Sequence, residues 1–325
     1  MNEASTTALE SWTSRRPFIT ALIGSFLMFL AAPPVGWWPL AWVATIPWIA
    51  LIATPTLSAN HPWKKIWLAS IIYWAAATYY VTIPHPMLWI GWAALFLYLS
   101  IYPLLFVWIG RKVAHGQRVS VLLAAPIVFT ALEWVRAHAL TGFGVTMLAN
   151  SQFRVPIVLQ VSDIAGAYGL TFLMVLFAAA CYLVISRERP VVGLVTSVVT
   201  VGIVLGYGAL QLNYFATASG DPIDVAIVQG NIDTRFPSTE KELAEYRQQR
   251  MEDYLRIHTE WYDESVRNQP PDLIIWPEGK YPVPDVLPGG SSDEDENIRQ
   301  AFIGFHELLF GLDPDPPALV AGTTT

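Results

Sequence analysis

The chain has 325 residues, 54% of them hydrophobic and only 14% charged, with 14 Trp and a mean hydropathy of +0.41, which excludes an ordinary soluble chain and points to a membrane protein. Charge is split: residues 1–212 hold 11 Lys+Arg against 5 Asp+Glu and residues 213–325 hold 8 against 21, so a lipid-embedded region and an acidic, water-facing region are expected. The net charge of −7 argues against nucleic acid as a partner, because phosphate binding needs a basic surface.

About 20 apolar residues cross a bilayer core. By that rule seven spans are expected, at about 17–32, 36–54, 64–83, 87–110, 119–138, 163–185 and 191–212. The first two are short, and Ala32-Pro33-Pro34-Val35-Gly36 between them suits a tight hairpin or a pair that does not fully cross. Ser14-Arg15-Arg16-Pro17-Phe18 resembles a twin-arginine export signal, but the further spans argue that span one is retained. Arg15 and Arg16, Lys64 and Lys65, Arg111, Lys112 and Arg118, and Arg187 and Arg189 fall in alternate connections. By the positive-inside rule these face the cytoplasm, which puts the N-terminus inside and residue 213 onward outside.

Glu133 and Arg136, near the outer end of span five, are three apart and share a helix face, where they can pair. A functional site and a structural ion pair are equally open readings. Trp37, Trp38, Trp42, Trp48, Trp63, Trp67, Trp89 and Trp92 crowd the span ends as an aromatic belt does, and His85 between two prolines reads as interfacial. Gly202 and Gly206 form a small-xxx-small pair expected to pack a neighbouring helix. Cys181, the one cysteine, leaves no internal disulfide and no cysteine-based metal cluster; set among Ala and Leu, it reads as core. The connection 139–162 is too polar to span and too apolar for a free loop, so a re-entrant or interfacial segment is expected.

After residue 212 the period changes. Val225-Ala226-Ile227-Val228 reads as a buried strand, Ser238 to Asn268 as a long amphipathic helix, and Leu273–Trp276 as a second buried strand ended by Pro277. Glu278 then sits at the carboxyl edge of a sheet, where α/β folds bind ligands and apolar walls can tune a carboxylate for proton transfer; a solvated loop carboxylate is the alternative. A Pro- and Gly-rich loop 277–291, a helix from Ser292 through about 310 with an acidic first turn, and a strand Ala318-Leu319-Val320-Ala321 complete an α/β pattern with a partly parallel sheet. Because the sequence stops directly after a core strand, it is expected to hold only the first part of this domain. The expected fold is therefore a polytopic α-helical membrane domain, 1–212, followed by a partial α/β domain, 213–325.

Five segments occur in a telling order: Trp38-Pro39-Leu40-Ala41-Trp42-Val43; Glu133-Trp134-Val135-Arg136 followed by Thr141-Gly142-Phe143; Asp163-Ile164-Ala165-Gly166-Ala167-Tyr168-Gly169-Leu170; Val228-Gln229-Gly230-Asn231-Ile232; and Trp276-Pro277-Glu278. Together they resemble the bacterial apolipoprotein N-acyltransferases, whose membrane helices carry an extracytoplasmic nitrilase-like (carbon–nitrogen hydrolase) domain. The resemblance implies a monomer of the cytoplasmic (inner) membrane that needs no cofactor or metal. It also implies a Glu–Lys–Cys triad in which Glu278 is the general base. A cysteine thioester would carry a fatty acyl chain from a phospholipid to the N-terminal amine of the diacylglyceryl-cysteine of an apolipoprotein, the last step of lipoprotein maturation. Glu133, Arg136, Phe143, Gln229 and Asn231 would contact substrate.

Departures from the family pattern matter too. Its lysine and cysteine lie downstream of the last strand, and Lys280 and Cys181 match neither. Gly144-Val145-Thr146 replaces a proline and tryptophan, and Gly279-Lys280-Tyr281 replaces small residues. The 325-residue chain by itself is therefore expected to be inactive. The alternatives are a membrane-anchored amidase, which the segment 139–162 argues against, and a noncatalytic scaffold or transporter, which would need more ionisable residues within its spans.

Overall fold

The computed structural model describes residues 8–85, 87–140, 142–217, 223–229, 239–261, 271–276 and 318–321. The chain divides into two compact units, Met1–Ala218 and Ser219–Thr325. In the first, α1 (Ala8–Arg15) leads into α2 (Pro17–Ala31), which Pro17 can begin because a first-turn residue needs no N–H. A tight turn follows, closed by Trp37 N–H donating to Leu30 O at 2.9 Å. A 3-10 turn at Trp38–Trp42 and α3 (Ile46–Ala53) complete the hairpin. Then come α4 (Pro62–Ala77), α5 (Leu88–Leu99), α6 (Ile101–Arg111), α7 (Val121–His138), α8 (Pro156–Leu159), α9 (Ser162–Ile185) and α10 (Pro190–Thr217).

Among the described residues four helical stretches are long and apolar enough to cross a membrane: Leu88–Gly116, which runs through α5 and α6, and then α7, α9 and α10. By contrast α2, with 15 residues, rises about 22 Å, short of the ~30 Å hydrocarbon core. The hydrogen bonds show which helix ends lie together. Ser14 Oγ donates to Thr56 O at 2.6 Å, and Arg111 donates to the carbonyls of Leu51, Thr54 and Pro55. His115 Nε2 bonds Ile52 O at 2.8 Å. These contacts gather the ends of α1, α3 and α6 into one basic end of the bundle. At the opposite end Gln152 bonds Trp38 and Trp42, and Tyr207 of α10 donates to Asp163 at the start of α9.

α3 and α9 form the centre, where Ile49, Leu51, Ile52, Leu170, Met174 and Tyr182 are fully buried. α10 instead exposes Val191, Val195, Val198, Val199 and Ile203 along its length, a face suited to lipid. Two expectations are corrected here. Trp48 is only 2% exposed; it turns inward because Gly24 of α2 leaves room for its indole, so it belongs to the core rather than to an aromatic belt. Gly202 and Gly206 meet nothing, whereas Gly193 lies against Ala180 and Val184 of α9 and Gly208 against Ile157 of α8. The close approaches of α10 thus fall on a different face of the helix from the one the spacing suggested. α9 breaks at Ala165 and Gly166, where φ is +61° at Gly166, a conformation a side chain resists.

The second unit holds a three-stranded parallel sheet in the order β1 (Val225–Ile227), β2 (Leu273–Trp276) and β3 (Ala318–Ala321). Val225 pairs with Leu273, and Leu273 with Ala318. Parallel neighbours need a crossover, and α11 (Glu240–Trp261) lies in the connection between β1 and β2. Thr239 caps it, its Oγ1 accepting from Glu242 N–H at 3.2 Å, as a Thr-x-x-Glu start favours. Ile274 of the middle strand is fully buried, as expected, but Val225 and Ile227 are exposed. The expectation of a buried first strand holds for Val228, 6% exposed, and fails for Val225 and Ile227, which share the opposite face because side chains alternate along a strand. The loop 277–291 and the helix expected from Ser292 lie outside the described residues.

Candidate functional site

α7 starts at an N-cap, Ser120, whose Oγ accepts from Leu122 N–H, and it presents Glu133 and Arg136 one turn apart. Each is only 5% exposed. Arg136 Nη2 lies 3.5 Å from Glu133 Oε1. The same Oε1 accepts from Leu148 N–H at 2.8 Å, and Oε2 accepts from Thr171 Oγ1 of α9 at 2.8 Å. Thr171 Oγ1 in turn accepts from Ala149 N–H at 3.3 Å. Both oxygens of Glu133 are therefore occupied by the chain, and the carboxylate ties the segment after α7 to α7 and α9. A buried charge needs this many partners.

Arg136 is less completely used. Its Nη2 donates to Thr146 O at 3.1 Å, and its guanidinium lies 5.1 Å over the Trp74 ring. Its Nε has no partner, and neither has Trp74 Nε1. Phe143 returns to the same place: its N–H donates to Arg136 O at 2.8 Å and its ring meets Trp74 edge-on at 6.1 Å. Tyr73, Tyr102 and Phe129 help to enclose a cavity of about 40 Å³ beside the pair, enough for a water or two.

The structure thus brings Glu133, Arg136 and Phe143 together. Gln229 is exposed just past the carboxyl end of β1, in the other unit. Glu278 and Asn231 lie outside the described residues; the strand leading to Glu278 ends at Trp276. Cys181 is half-buried in α9, its Sγ 3.8 Å from Ser197 Oγ of α10. Among the described residues, no three His, Cys, Asp or Glu side chains converge as a metal site.

Sequence reading missed Thr171 and Gln152. Gln152 is fully buried; it accepts from Trp42 Nε1 at 3.1 Å and donates to Trp38 O at 3.1 Å. It locks the 3-10 turn Leu148–Gln152 into the bundle, so Leu148, Ala149, Val158 and Val161 join the core while Val145 and Phe153 of the same segment stay exposed.

Residues 24–180, which take in most of α2 and the whole Glu133 clamp, match the N-terminal domain of apolipoprotein N-acyltransferase. Through this stretch the chain is similar to the apolipoprotein N-acyltransferase family. It is 27% identical over 280 residues to the apolipoprotein N-acyltransferase of Rhodopirellula baltica, covering 78% of this chain and 46% of that protein. It is 28% identical over 286 residues to that of Geobacter metallireducens, covering 82% and 52%. The similarity to the protein of Chlorobaculum tepidum is 27% over 333 residues and takes in 98% of this chain and 59% of the relative. The chain spans about half the length of the curated relatives it matches.

Proposed function

We propose that this chain supplies the membrane region and the first strands of the α/β region of an enzyme that N-acylates lipoproteins in the bacterial inner membrane. The observation that carries the reading is the family match across the helices that build the Glu133 clamp, on a chain that then enters a parallel α/β sheet. The acyl donor is a phospholipid and the acceptor the free α-amine of a diacylglyceryl-cysteine. Glu278 takes the proton of a cysteine thiol, whose sulfur attacks the ester carbonyl. The proton passes to the departing lysophospholipid oxygen and a thioester remains. The amine then attacks the thioester, its proton returns through Glu278 to the thiolate, and an amide forms.

In this reading Cys181, half-buried in α9 with its Sγ 3.8 Å from Ser197 Oγ, is a packing residue and not that nucleophile, so the 325 residues by themselves are expected to form no acyl-enzyme. In the membrane region Glu133 is a positioning residue, whereas Arg136, through its free Nε, and Phe143 are the side chains left to meet a lipid acceptor group. A transporter is the weaker reading, since the carboxylate a cargo ion would need is already filled by Leu148, Thr171 and Arg136.

The test is rescue of a bacterium depleted of its own N-acyltransferase, read by mass spectrometry of lipoprotein N-termini. The product of the complete gene restores the third acyl chain, and Glu278→Gln reduces turnover by about 10²–10⁴-fold. Acylation by the 325-residue chain, unaffected by Cys181→Ser, would overturn the mechanism.

A further inference from the structure

At the basic end of the bundle a second cavity, of about 260 Å³, opens between the end of α3, the turn after α6, and the starts of α7 and α10. Its polar lining is Arg118, Arg189, His115, Ser120 and Glu188. Two helices begin at its wall, α7 after the Ser120 cap and α10 at Pro190, and each N-terminus carries partial positive charge. Among the described residues neither the Arg118 nor the Arg189 guanidinium makes a hydrogen bond or close ion pair. The one anion in the lining, Glu188, accepts from Tyr182 OH at 3.4 Å, and burial, then neighbouring Glu10, pushes its carboxyl toward the neutral form. Exposed Val184, Ile185, Val191 and Leu194 flank this end, where acyl tails could lie.

We propose that this cavity binds an anionic phosphate group, carried by a lipid headgroup or free in solution. Arginine forks match phosphate oxygens in pairs, and basic pockets between membrane helices suit anionic headgroups. The site is at the opposite end of the bundle from Glu133 and Arg136, so it stands whether or not the acyl-transfer reading does.

The test is thermal unfolding of the purified 325-residue chain in detergent with dihexanoyl-phosphatidylglycerol, dihexanoyl-phosphatidylcholine or inorganic phosphate. The anionic lipid raises the midpoint saturably, and the zwitterionic one does so much less. The variant R118Q/R189Q weakens the anionic ligand by about tenfold or more, the scale of one charge-assisted hydrogen bond. R189Q alone weakens the anionic lipid several-fold and R189K, which keeps the charge but not the fork, weakens it less, which keeps the test open should the double variant not fold. K64Q/K65Q, which removes the same charge outside the cavity, changes nothing. A shift with the lipid alone assigns a headgroup, and an equal shift with inorganic phosphate assigns a soluble ligand. Equal shifts with both lipids, or equal loss in K64Q/K65Q and R118Q/R189Q, would refute the site.

Discussion

Glu133 shows how a charge is kept inside this protein. Three donors from three parts of the chain converge on it, Leu148 N–H, Thr171 Oγ1 and the Arg136 guanidinium, so removing either partner of the ion pair strands the other. Glu133→Ala should therefore destabilise the chain by about 3–5 kcal/mol, while replacing both residues with Met should cost less than either single change. Unfolding midpoints in detergent for the two singles and the double decide this. If the double is as damaged as Glu133→Ala, the carboxylate's bonds to Leu148 and Thr171 matter more than its charge partner. The pairing itself was legible, because residues three apart on a helix must meet. Leu148 and Thr171 were not, since 15 and 38 residues of chain separate them from Glu133 and no local pattern marks their return.

The helices illustrate a second limit of local pattern. Arg111 reads as one more positive charge at a span end, but its guanidinium caps the carbonyls of Leu51, Thr54 and Pro55 at the end of α3, where a cation also opposes the helix dipole. Arg111→Ala should lower stability by about 2 kcal/mol, with Arg111→Lys recovering only part, because an ammonium cannot reach several carbonyls as a planar fork does. Small residues on α10 give the matching test. Gly208→Ala and Gly193→Ala should lower the midpoint by driving α10 away from α8 and α9, and Gly202→Ala and Gly206→Ala should be neutral or slightly stabilising. Spacing nominated the wrong pair because a four-residue step exists on every face of a helix, and only packing says which face is used.

The link between α9 and α10 adds a pH dependence. Burial, then Glu10, raises the Glu188 carboxyl above its ordinary 4.5, against the lowering influence of Tyr182, Arg189 and His115. The folded chain therefore holds a proton that the unfolded chain has released, so stability falls as pH rises upward from 4.5 through the raised value. Glu188→Gln should flatten that part of the midpoint-against-pH curve, by a small amount because the side chain is partly in water.

Taken together, the unit Met1–Ala218 gathers Arg111, Arg118 and Arg189 at one end and the Glu133–Arg136 clamp, with Gln152 and Phe143, at the other. That alternation was readable from charge alone; the shortness of α2 and α3 was readable too, but whether such short pieces cross depends on neighbours that composition does not name. The proposed function requires an odd number of crossings, which would bring residue 278 to the clamp's side of the membrane and not to that of Arg118. In a Cys181→Ser background, single cysteines at exposed positions Gln117, Val145 and Gln248 separate the cases with a membrane-impermeant maleimide. Val145→Cys and Gln248→Cys should label in intact spheroplasts, and Gln117→Cys only after permeabilisation. If Gln248→Cys instead behaves like Gln117→Cys, the crossings are even, the carboxylate faces the cytoplasm, and a lipoprotein amine in the outer leaflet is out of its reach. Labelling of all three without permeabilisation would mean that the short hairpin of α2 and α3 leaves the bundle open to water, which would remove the basis for an orientation drawn from charge.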